Sequence, residues 1–251
     1  MSRTLLPLCL AAALGVSAAG AESSDATAIR EKLVTRLPGF LIGAVTPTAV
    51  PGVYAVETDN GEMRKTLHVV DGGSHVIAGD LYALAPGGPV NRTEVRRESR
   101  RRELLGALDP ARAIVFPATG ARRTVLHVFT DVDCPHCRAF HADVTALNGL
   151  GIEVRYLAFA RGGPESATAA RMASAWCAGD PGAALAALKR DETIAAASCD
   201  DPVAAQFELG RQVGVEGTPT SVTDSGRLIH GHLAPSETAV RLGLEPLGET
   251  H

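Results

Sequence analysis

The chain has 251 residues, of which 45% are hydrophobic and 21% are charged, and its formal net charge is −4. This composition is typical of a globular protein of one large or two modest domains, and it excludes a largely disordered chain. The negative net charge argues against a nucleic-acid-binding protein, which usually carries a surplus of basic residues.

Residues 1–21 have the pattern of a secretory signal peptide. Arg3 supplies a positive charge at the start, residues 5–16 are apolar, and Ala19-Gly20-Ala21 matches the A-x-A pattern of a cleavage site. The apolar run is shorter than a bilayer span requires. We therefore expect cleavage after Ala21 and export of the chain, with an uncleaved membrane anchor as the alternative.

Residues 22–90 are predicted to form a small α+β domain. A repeat of apolar residues predicts a helix over residues 25–37. Four later segments have strand patterns: residues 53–58, 66–70, 75–78 and 81–84. Asn60-Gly61, between the first two of these segments, is typical of a hairpin turn. The core of such a small domain is thin, and self-association is the simplest way to cover it.

A charged linker helix is predicted over residues 91–110, after a chain break at Pro86-Gly87-Gly88-Pro89. Asn91 is placed to cap this helix, with Glu94 as its capping-box partner. The helix is either an ordinary surface helix or a strut between two domains. A third interpretation, an anion-binding patch at residues 96–102, is weakened by the glutamates that interrupt it.

Residues 111–251 are predicted to form an α/β domain. Strand patterns at residues 124–130 and 152–159 flank a helix pattern at residues 138–147, which favours a parallel strand pair with a right-handed crossover. The rest of the domain is predicted to be helical at residues 165–189 (broken near residue 181), 202–213 and 236–242, with a hairpin joining residues 220–223 and 228–230.

The motif Cys134-Pro135-His136-Cys137 lies where the first of these strands passes into a helix. Free backbone N–H groups and the positive end of the helix dipole favour Cys134 as a thiolate, and a protonated His136 adds positive charge. Pro135 suits the first helical turn, where its missing N–H group is not needed. Cys134 is therefore predicted to attack a disulfide, and Cys137 to resolve the mixed disulfide that results.

Two other interpretations of the CxxC pair are half of a zinc site and a purely structural disulfide. The chain has no second CxxC, so no metal and no cofactor are predicted. The position at a strand-to-helix junction favours redox chemistry. Cys9 leaves with the signal, and the remaining Cys177 and Cys199 are predicted to form a structural disulfide, with a second redox pair as the alternative.

Residues 214–220 contain a second informative motif. Pro219 precedes a strand pattern, and Gly217 permits unusual backbone angles just before it. The residues alone leave open whether the peptide bond between Thr218 and Pro219 is cis or trans, since most X-Pro bonds in folded proteins are trans.

Together these motifs resemble the periplasmic disulfide isomerases of the DsbC/DsbG family, within the thioredoxin superfamily. The resemblance extends over most of the chain beyond the signal and is far more specific than a lone CxxC. It is carried by five segments: Val128-Phe129-Thr130-Asp131 leading into the CPHC motif, residues 154–159, Ala175-Trp176-Cys177-Ala178, Ala197-Ser198-Cys199-Asp200, and residues 214–219.

The resemblance implies a fold, a cellular compartment and a set of partners. Residues from about 111 onward would form a thioredoxin-like domain with a helical insertion, residues 92–108 a linker helix, and the N-terminal α+β domain would pair two subunits into a V-shaped homodimer. Thr218 and Pro219 would form a cis-proline loop that faces the CPHC motif and contacts the substrate backbone. The protein would act in the periplasm on misfolded, disulfide-containing exported proteins, and a membrane thiol reductase of the DsbD type would keep it reduced.

Two features depart from the family pattern. The dipeptide Pro135-His136 is typical of the oxidase DsbA, and a more stable Cys134 thiolate makes the disulfide more oxidising. Val128 stands where thioredoxins often carry a buried acid, so the usual proton relay is not expected. The sequence predicts a thiol–disulfide isomerase or reductase, with a DsbA-like dithiol oxidase and a redox-independent holdase chaperone as alternatives.

Overall fold

The computed structural model describes residues 23–61 and 64–244. These residues divide into two compact units, which are described separately: residues 23–59 with 67–78, and residues 60–61 and 64–66 with 79–244. The predicted signal peptide and Cys9 lie outside the described residues. Within the described ranges, no helix is both long and apolar enough to cross a membrane.

The N-terminal sheet has four strands in the order β1-β2-β3-β4 beside helix α1. The elements are α1 (Ser24–Arg36), β1 (Leu41–Pro47), β2 (Tyr54–Asp59), β3 (Arg64–Val70) and β4 (His75–Ile77). Ser23 caps α1 by accepting a hydrogen bond from the backbone N–H of Ala26. The apolar face of α1, with Ile29 and Leu33, packs on Val56 and Val69 of the sheet and forms a small core.

Strand β1 was not predicted from the sequence. Along this strand only Val45 is buried, so the alternation that marks a half-buried strand is absent. The pairing of β1 with β2 is also irregular between Ile42 and Val45, where Gly43 approaches the backbone of Glu57 closely. A bulged edge strand of this kind leaves little periodic signal in the sequence.

A short hairpin and the predicted linker helix follow. Its strands are β5 (Tyr82–Ala85) and β6 (Gly88–Asn91), and the helix is α2 (Arg92–Gly106). The predicted break at residues 86–89 is therefore wrong in part, because Gly88 and Pro89 belong to β6 and only Pro86-Gly87 form the turn. Both strands of a two-stranded hairpin are edges, so Pro89 is tolerated there. Asn91 caps α2 as predicted, accepting from the backbone N–H of Glu94 at 2.9 Å.

The second sheet has five strands in the order β11-β10-β8-β9-β7. The strands are β7 (Ile114–Phe116), β8 (Thr124–Thr130), β9 (Ile152–Ala158), β10 (Thr220–Thr223) and β11 (Leu228–His230). The predicted parallel pairing of β8 with β9 is confirmed, and β10 runs antiparallel to β8. Successive residues of β8 face opposite sides of the sheet, so Val128 packs into one apolar cluster and Phe129 into another.

Helices cover both faces of this sheet. They are α3 (Pro135–Ala142), α4 (Val144–Gly149), α5 (Ala167–Trp176), α6 (Pro181–Lys189), α7 (Val203–Val213) and α8 (Pro235–Arg241). The single helix predicted over residues 138–147 is in fact α3 and α4, which meet at Asp143. The carboxylate of Asp143 lies 2.7 Å from His232 Nε2, so the residue between the two helices is held by a contact outside them.

Candidate active site

The CPHC motif lies at the junction of β8 and α3. Cys134 is the N-cap residue of α3, and Pro135 occupies its first turn, as predicted. Pro135 and His136 are exposed, whereas Cys134 is 2% exposed and Cys137 is fully buried. Both cysteines are free thiols in this structure. The junction therefore holds two reduced sulfurs at the start of a helix, where the dipole and the free N–H groups favour negative charge.

Asp131 fixes the loop between the strand and the motif. This residue is 2% exposed, and its carboxylate accepts hydrogen bonds from the backbone N–H groups of Asp133 at 2.7 Å and Arg161 at 2.8 Å. The side chain of Arg161 donates to the same carboxylate at 3.3 Å. Because Arg161 follows β9, the parallel neighbour of β8, these contacts bring a cation from the next strand to the motif.

A loop containing Pro219 covers Cys134. The peptide bond between Thr218 and Pro219 is cis. The Cys134 thiol donates a hydrogen bond to the carbonyl oxygen of Thr218 at 3.1 Å. The Thr218 hydroxyl is buried and makes no hydrogen bond to the neutral thiols among the described residues, so its hydrogen is available to a thiolate. The loop is positioned by β10, in which Thr220 pairs with Phe129 of β8.

The surroundings of Cys134 make its thiol more acidic than that of an ordinary cysteine. Burial raises the pKa of Cys134, but hydrogen bonding from Thr218 and Cys137 and the charge of Arg161 together lower this pKa by more. The sequence assigned the nearby positive charge to His136, which is exposed, and did not single out Arg161. The thiolate is the reactive form of cysteine, so Cys134 can act as a nucleophile.

Cys137 has the opposite character. Its burial raises the pKa of the Cys137 thiol above the ordinary value, although the charge of Lys189 and a hydrogen bond from Thr130 act against the rise. The two cysteines of one motif therefore divide their roles, since Cys134 favours the thiolate and Cys137 favours the thiol. An acidic attacking thiol with a protonated partner behind it is an arrangement suited to thiol–disulfide exchange.

Lys189 is the functional neighbour that was not found from the sequence. It is 4% exposed, and its ammonium donates hydrogen bonds to Thr130 Oγ1 at 2.5 Å and to the Asp131 carbonyl oxygen at 3.0 Å. The only available signal was a charged residue beside Leu185 and Leu188 on the buried face of α6. An apolar helix face with one lysine at its end does not by itself indicate a cysteine neighbour.

The other two cysteines form a bond away from the motif. The sulfur atoms of Cys177 and Cys199 are 2.00 Å apart, and their Cα atoms are 5.5 Å apart. This disulfide joins the end of α5 to the segment that precedes α7. Over residues 23–61 and 64–244, no group of three or more His, Cys, Asp or Glu side chains is placed to hold a metal ion.

Comparison with known proteins identifies relatives of both parts of the chain. Residues 111–242 match the sequence model of a thioredoxin-like domain, and residues 18–94 match the N-terminal domain of disulfide bond isomerase proteins. The chain is 35% identical over 218 residues to the thiol:disulfide interchange protein DsbC of Escherichia coli strain K12, covering 87% of each chain. It is 36% identical to DsbC of Salmonella typhimurium over the same length and coverage. A crystal structure of a disulfide interchange protein from Neisseria gonorrhoeae matches 55% of this chain and 100% of that chain, with 26% identity and a TM-score of 0.48.

Proposed function

Because this chain belongs to the DsbC family of thiol:disulfide interchange enzymes, we propose that it is a periplasmic disulfide isomerase with Cys134 as nucleophile and Cys137 as resolving cysteine. The observation that carries the proposal is the contrast in acidity between the two sulfurs at one helix start. Pro135 and His136 belong to the same site because they form the exposed turn that separates the two cysteines.

The reaction begins with attack by the Cys134 thiolate on one sulfur of an incorrect disulfide. A bond forms between Cys134 and that sulfur, the substrate disulfide breaks, and the second substrate sulfur leaves as a thiolate. This thiolate can attack another disulfide of the same substrate and displace a new thiolate. The displaced thiolate then attacks the mixed disulfide, forms a new substrate disulfide and releases Cys134, which completes an isomerisation with no net change in oxidation state. Alternatively, Cys137 attacks Cys134, and the substrate leaves reduced.

Thr218 and Pro219 are assigned to substrate binding. Their loop covers Cys134, and the carbonyl oxygen of Thr218 accepts the hydrogen bond of the Cys134 thiol in the free enzyme. A substrate disulfide that reaches Cys134 must therefore contact this loop. We assign Cys177 and Cys199 a structural role, since their bond lies between helices and outside the CPHC junction.

The domain organisation and partners form part of the same proposal. We divide the chain into a signal peptide at residues 1–21, a dimerisation domain at 22–90, a linker helix at 91–110 and a catalytic domain at 111–251. The regions matched by the two family models support this division, since most of α2 lies between them. The proposed partners are a second copy of this chain, misfolded exported proteins that contain disulfides, and a membrane thiol reductase of the DsbD type.

The test is the reactivation of scrambled ribonuclease by the full protein. Activity is expected for the wild type and is expected to be lost in Cys134→Ala, because no nucleophile remains. Cys177→Ala with Cys199→Ala serves as the matched control, since it removes two cysteines outside the motif. Reactivation by Cys134→Ala at the wild-type rate would exclude the proposal.

A dithiol oxidase is the second candidate, and the dipeptide Pro135-His136 together with the acidic Cys134 favours it. The two functions differ in the resting state of the motif, because an oxidase rests as the disulfide and an isomerase rests as the dithiol. Alkylation of free thiols in cells, directly after acid quenching, measures this state. Recovery of Cys134 and Cys137 mainly in the alkylated form supports the isomerase, and recovery mainly as the disulfide supports the oxidase.

A further inference from the structure

Lys189 is a charged residue in a position that favours an apolar one. It ends α6, and the same helix buries Leu185 and Leu188 in the core of the domain. A buried ammonium group is strongly destabilising unless hydrogen bonds and opposite charges compensate for its lost hydration. Lys189 should therefore lie beside hydrogen-bond acceptors or negatively charged groups that stabilise its ammonium.

The hydrogen bonds of Lys189 point to the end of β8, directly before the CPHC motif. Lys189 Nζ donates to the hydroxyl oxygen of Thr130 at 2.5 Å and to the carbonyl oxygen of Asp131 at 3.0 Å. A hydroxyl that accepts from an ammonium keeps its own hydrogen for another acceptor. That acceptor is Cys137, since hydrogen bonding from Thr130 is one of the influences that lower the pKa of its thiol.

Charged and titratable groups face Lys189 from several elements. Cys137, Cys134 and Asp131 at the junction of β8 and α3 stabilise its charge, whereas Arg138 of α3 opposes it. Burial is the largest influence and lowers the pKa of Lys189 to about 8, so the amine is still mostly protonated at neutral pH.

Two further groups complete these surroundings. From β9, the ring centroid of Tyr156 lies 5.8 Å from Lys189 Nζ. From α3, His141 responds to the same cation: burial lowers the pKa of His141 to about 4, and the charges of Lys189 and Arg190 add to this shift. At neutral pH both neighbours are uncharged, so the groups that attract the ammonium are Asp131 and, when they are ionised, Cys137 and Cys134.

We propose that Lys189 is a positioning residue for the resolving step: its buried ammonium, acting through the Thr130 hydroxyl and through its own charge, stabilises the thiolate of Cys137. This inference rests on the proposed exchange reaction and adds to it a buried cation beside the second cysteine. Lys189 and Arg161 each interact with both sulfurs, but Lys189 is the cation that lowers the pKa of Cys137, whereas Arg161 lowers that of Cys134.

The step balances without any additional oxidant or reductant. Cys137 loses its proton to solvent, and the thiolate attacks Cys134 in the mixed disulfide. The bond between Cys134 and Cys137 forms, the bond between Cys134 and the substrate breaks, and the departing substrate sulfur takes the electron pair and then a proton. In its protonated form, Lys189 lowers the free energy of the Cys137 thiolate before it attacks. A faster resolving step shortens the life of the mixed disulfide and limits the time available for rearrangement.

The first test measures the acidity of Cys137 itself. In a full-length chain with Cys9→Ser and Cys134→Ala, Cys137 is the one remaining thiol because Cys177 and Cys199 are bonded to each other. The ultraviolet absorbance of the thiolate is followed against pH. Lys189→Met, which fills the same volume without charge, is expected to raise the pKa of Cys137, and Lys189→Arg is expected to retain most of the wild-type acidity.

Arg190→Met is the matched control, because Arg190 is the next residue of the chain and its side chain is 58% exposed. It removes the same formal charge from the surface and is expected to leave the titration of Cys137 unchanged. The titration of Cys137 does not depend on isomerase activity, so it tests the role of Lys189 even if the ribonuclease assay fails. Equal titration curves for Lys189→Met and Arg190→Met would overturn the inference.

The second test measures the resolving step directly. The mixed disulfide between Cys134 and glutathione is prepared in the otherwise unaltered motif, and glutathione release is followed at neutral pH. Lys189→Met is expected to slow release on the order of tenfold, as loss of a nearby charge at intermediate dielectric predicts, with Arg190→Met within about twofold of wild type. Unfolding curves verify that each variant is folded, and Lys189→Gln replaces the methionine variant if that one is not. Release at the wild-type rate in a folded, uncharged variant would also overturn the inference.

Discussion

At the residue scale, the chemistry of the site depends on which polar atoms face each sulfur. Cys134 and Cys137 are one helical turn apart, yet the pKa of the first is lowered and that of the second is raised. Both are subject to burial, which favours the neutral thiol. The difference arises because hydrogen bonding and the charge of Arg161 outweigh the burial of Cys134, whereas the burial of Cys137 outweighs the influence of its neighbours, Thr218 among them.

Replacing Thr218 by Val is expected to make Cys134 less reactive. The hydroxyl of Thr218 is buried and makes no hydrogen bond to the neutral thiols in the described part of the chain, so its hydrogen is available to the Cys134 thiolate, which lowers the pKa of Cys134. Its loss raises that pKa, and the rate of alkylation at neutral pH should fall roughly three- to tenfold. The rate is measured against pH. Thr218→Ser, which keeps the hydroxyl, should react as the wild type does, and identical profiles for the Val variant and wild type would contradict the assignment.

A second prediction at this scale concerns stability in mild acid. His127 in β8 is 8% exposed, and its Nδ1 atom has no hydrogen-bond partner within the described ranges. Burial, followed by the charge of Arg155, lowers the pKa of His127 from 6.5 to about 4, with Asp224 and Glu153 acting in the opposite direction. The folded state thus favours the neutral ring. The stabilisation is complete above pH 6.5 and is lost as the pH falls from there to about 4, because the unfolded chain takes up the proton first.

Urea denaturation at pH 7 and pH 5 tests this effect. By pH 5 the unfavourable protonation linkage of His127 amounts to about 2 kcal/mol of the free energy of unfolding. His127→Leu removes the titrating group, so its stability should fall by about 2 kcal/mol less than that of wild type over this interval. An equal fall in both proteins would show that other groups carry the acid sensitivity.

At the scale of elements, helix α2 is attached to the thioredoxin-like domain by Leu105, which packs in an apolar core, and by the buried side chain of Arg101. Arg101 is 6% exposed, and its guanidinium donates to the carbonyl oxygens of Val213 at 2.8 Å and Gly226 at 3.3 Å and to the carboxylate of Glu94 at 2.6 Å. Gly226 lies so close to the backbone of Glu98 that a Cβ atom there would overlap it. A highly charged helix is thus held at a fixed position by contacts to α7 and to the turn between β10 and β11.

Arg101→Met is expected to release this helix. The substitution leaves the carbonyl oxygens of Val213 and Gly226 without this donor, and an unsatisfied buried polar group costs about 1–3 kcal/mol. Amide hydrogen exchange in residues 92–106 should accelerate more than exchange in the central sheet. Arg100→Met is the control, since the side chain of Arg100 is 61% exposed and pairs with nearby Glu103 on the same helix. Comparable destabilisation by both variants would exclude a special role for Arg101.

The elements also show what the sequence could and could not reveal. The position of Cys134 could be predicted from the local sequence, because an apolar strand followed by Cys and Pro indicates the start of a helix. The role of Arg161 could have been predicted from the sequence, since this residue follows the strand predicted to lie parallel beside the motif. The roles of Lys189 and Arg101 could not have been predicted, because they depend on the packing of α6 and α2 against backbone that is distant in the sequence. Buried charges are placed by tertiary contacts, and periodicity assigns a charged residue to the surface by default.

At the scale of the whole molecule, the proposed homodimer depends on the edge of the N-terminal sheet. Strand β4 is exposed along its length, and its apolar residues Val76 and Ile77 are 42% and 53% exposed. An edge strand offers unpaired backbone groups, and apolar side chains on it favour pairing with another strand. Pairing of β4 with its copy in a second chain would satisfy the backbone and cover these side chains.

Charged substitutions on β4 are therefore expected to produce monomers. Val76→Lys with Ile77→Lys places two like charges on the edge of each chain, so pairing of two copies is opposed both by repulsion and by lost apolar burial. Leu41→Lys is the matched control, because Leu41 is 74% exposed on β1 at the opposite edge of the same sheet. Sedimentation at micromolar concentration should give a monomer for the double variant and a dimer for the control and wild type.

The β4 variant should affect isomerase activity without affecting the acidity of Cys134. Alkylation of Cys134 should proceed at the wild-type rate in the β4 variant, since none of the groups that set its acidity lies in the N-terminal sheet. Reactivation of scrambled ribonuclease should fall severalfold, because a single catalytic domain loses the second copy that helps to retain a substrate between successive exchanges, an effect of effective concentration. A monomer with full reactivation would show that one chain suffices, and a dimer that survives the lysines would place the interface elsewhere.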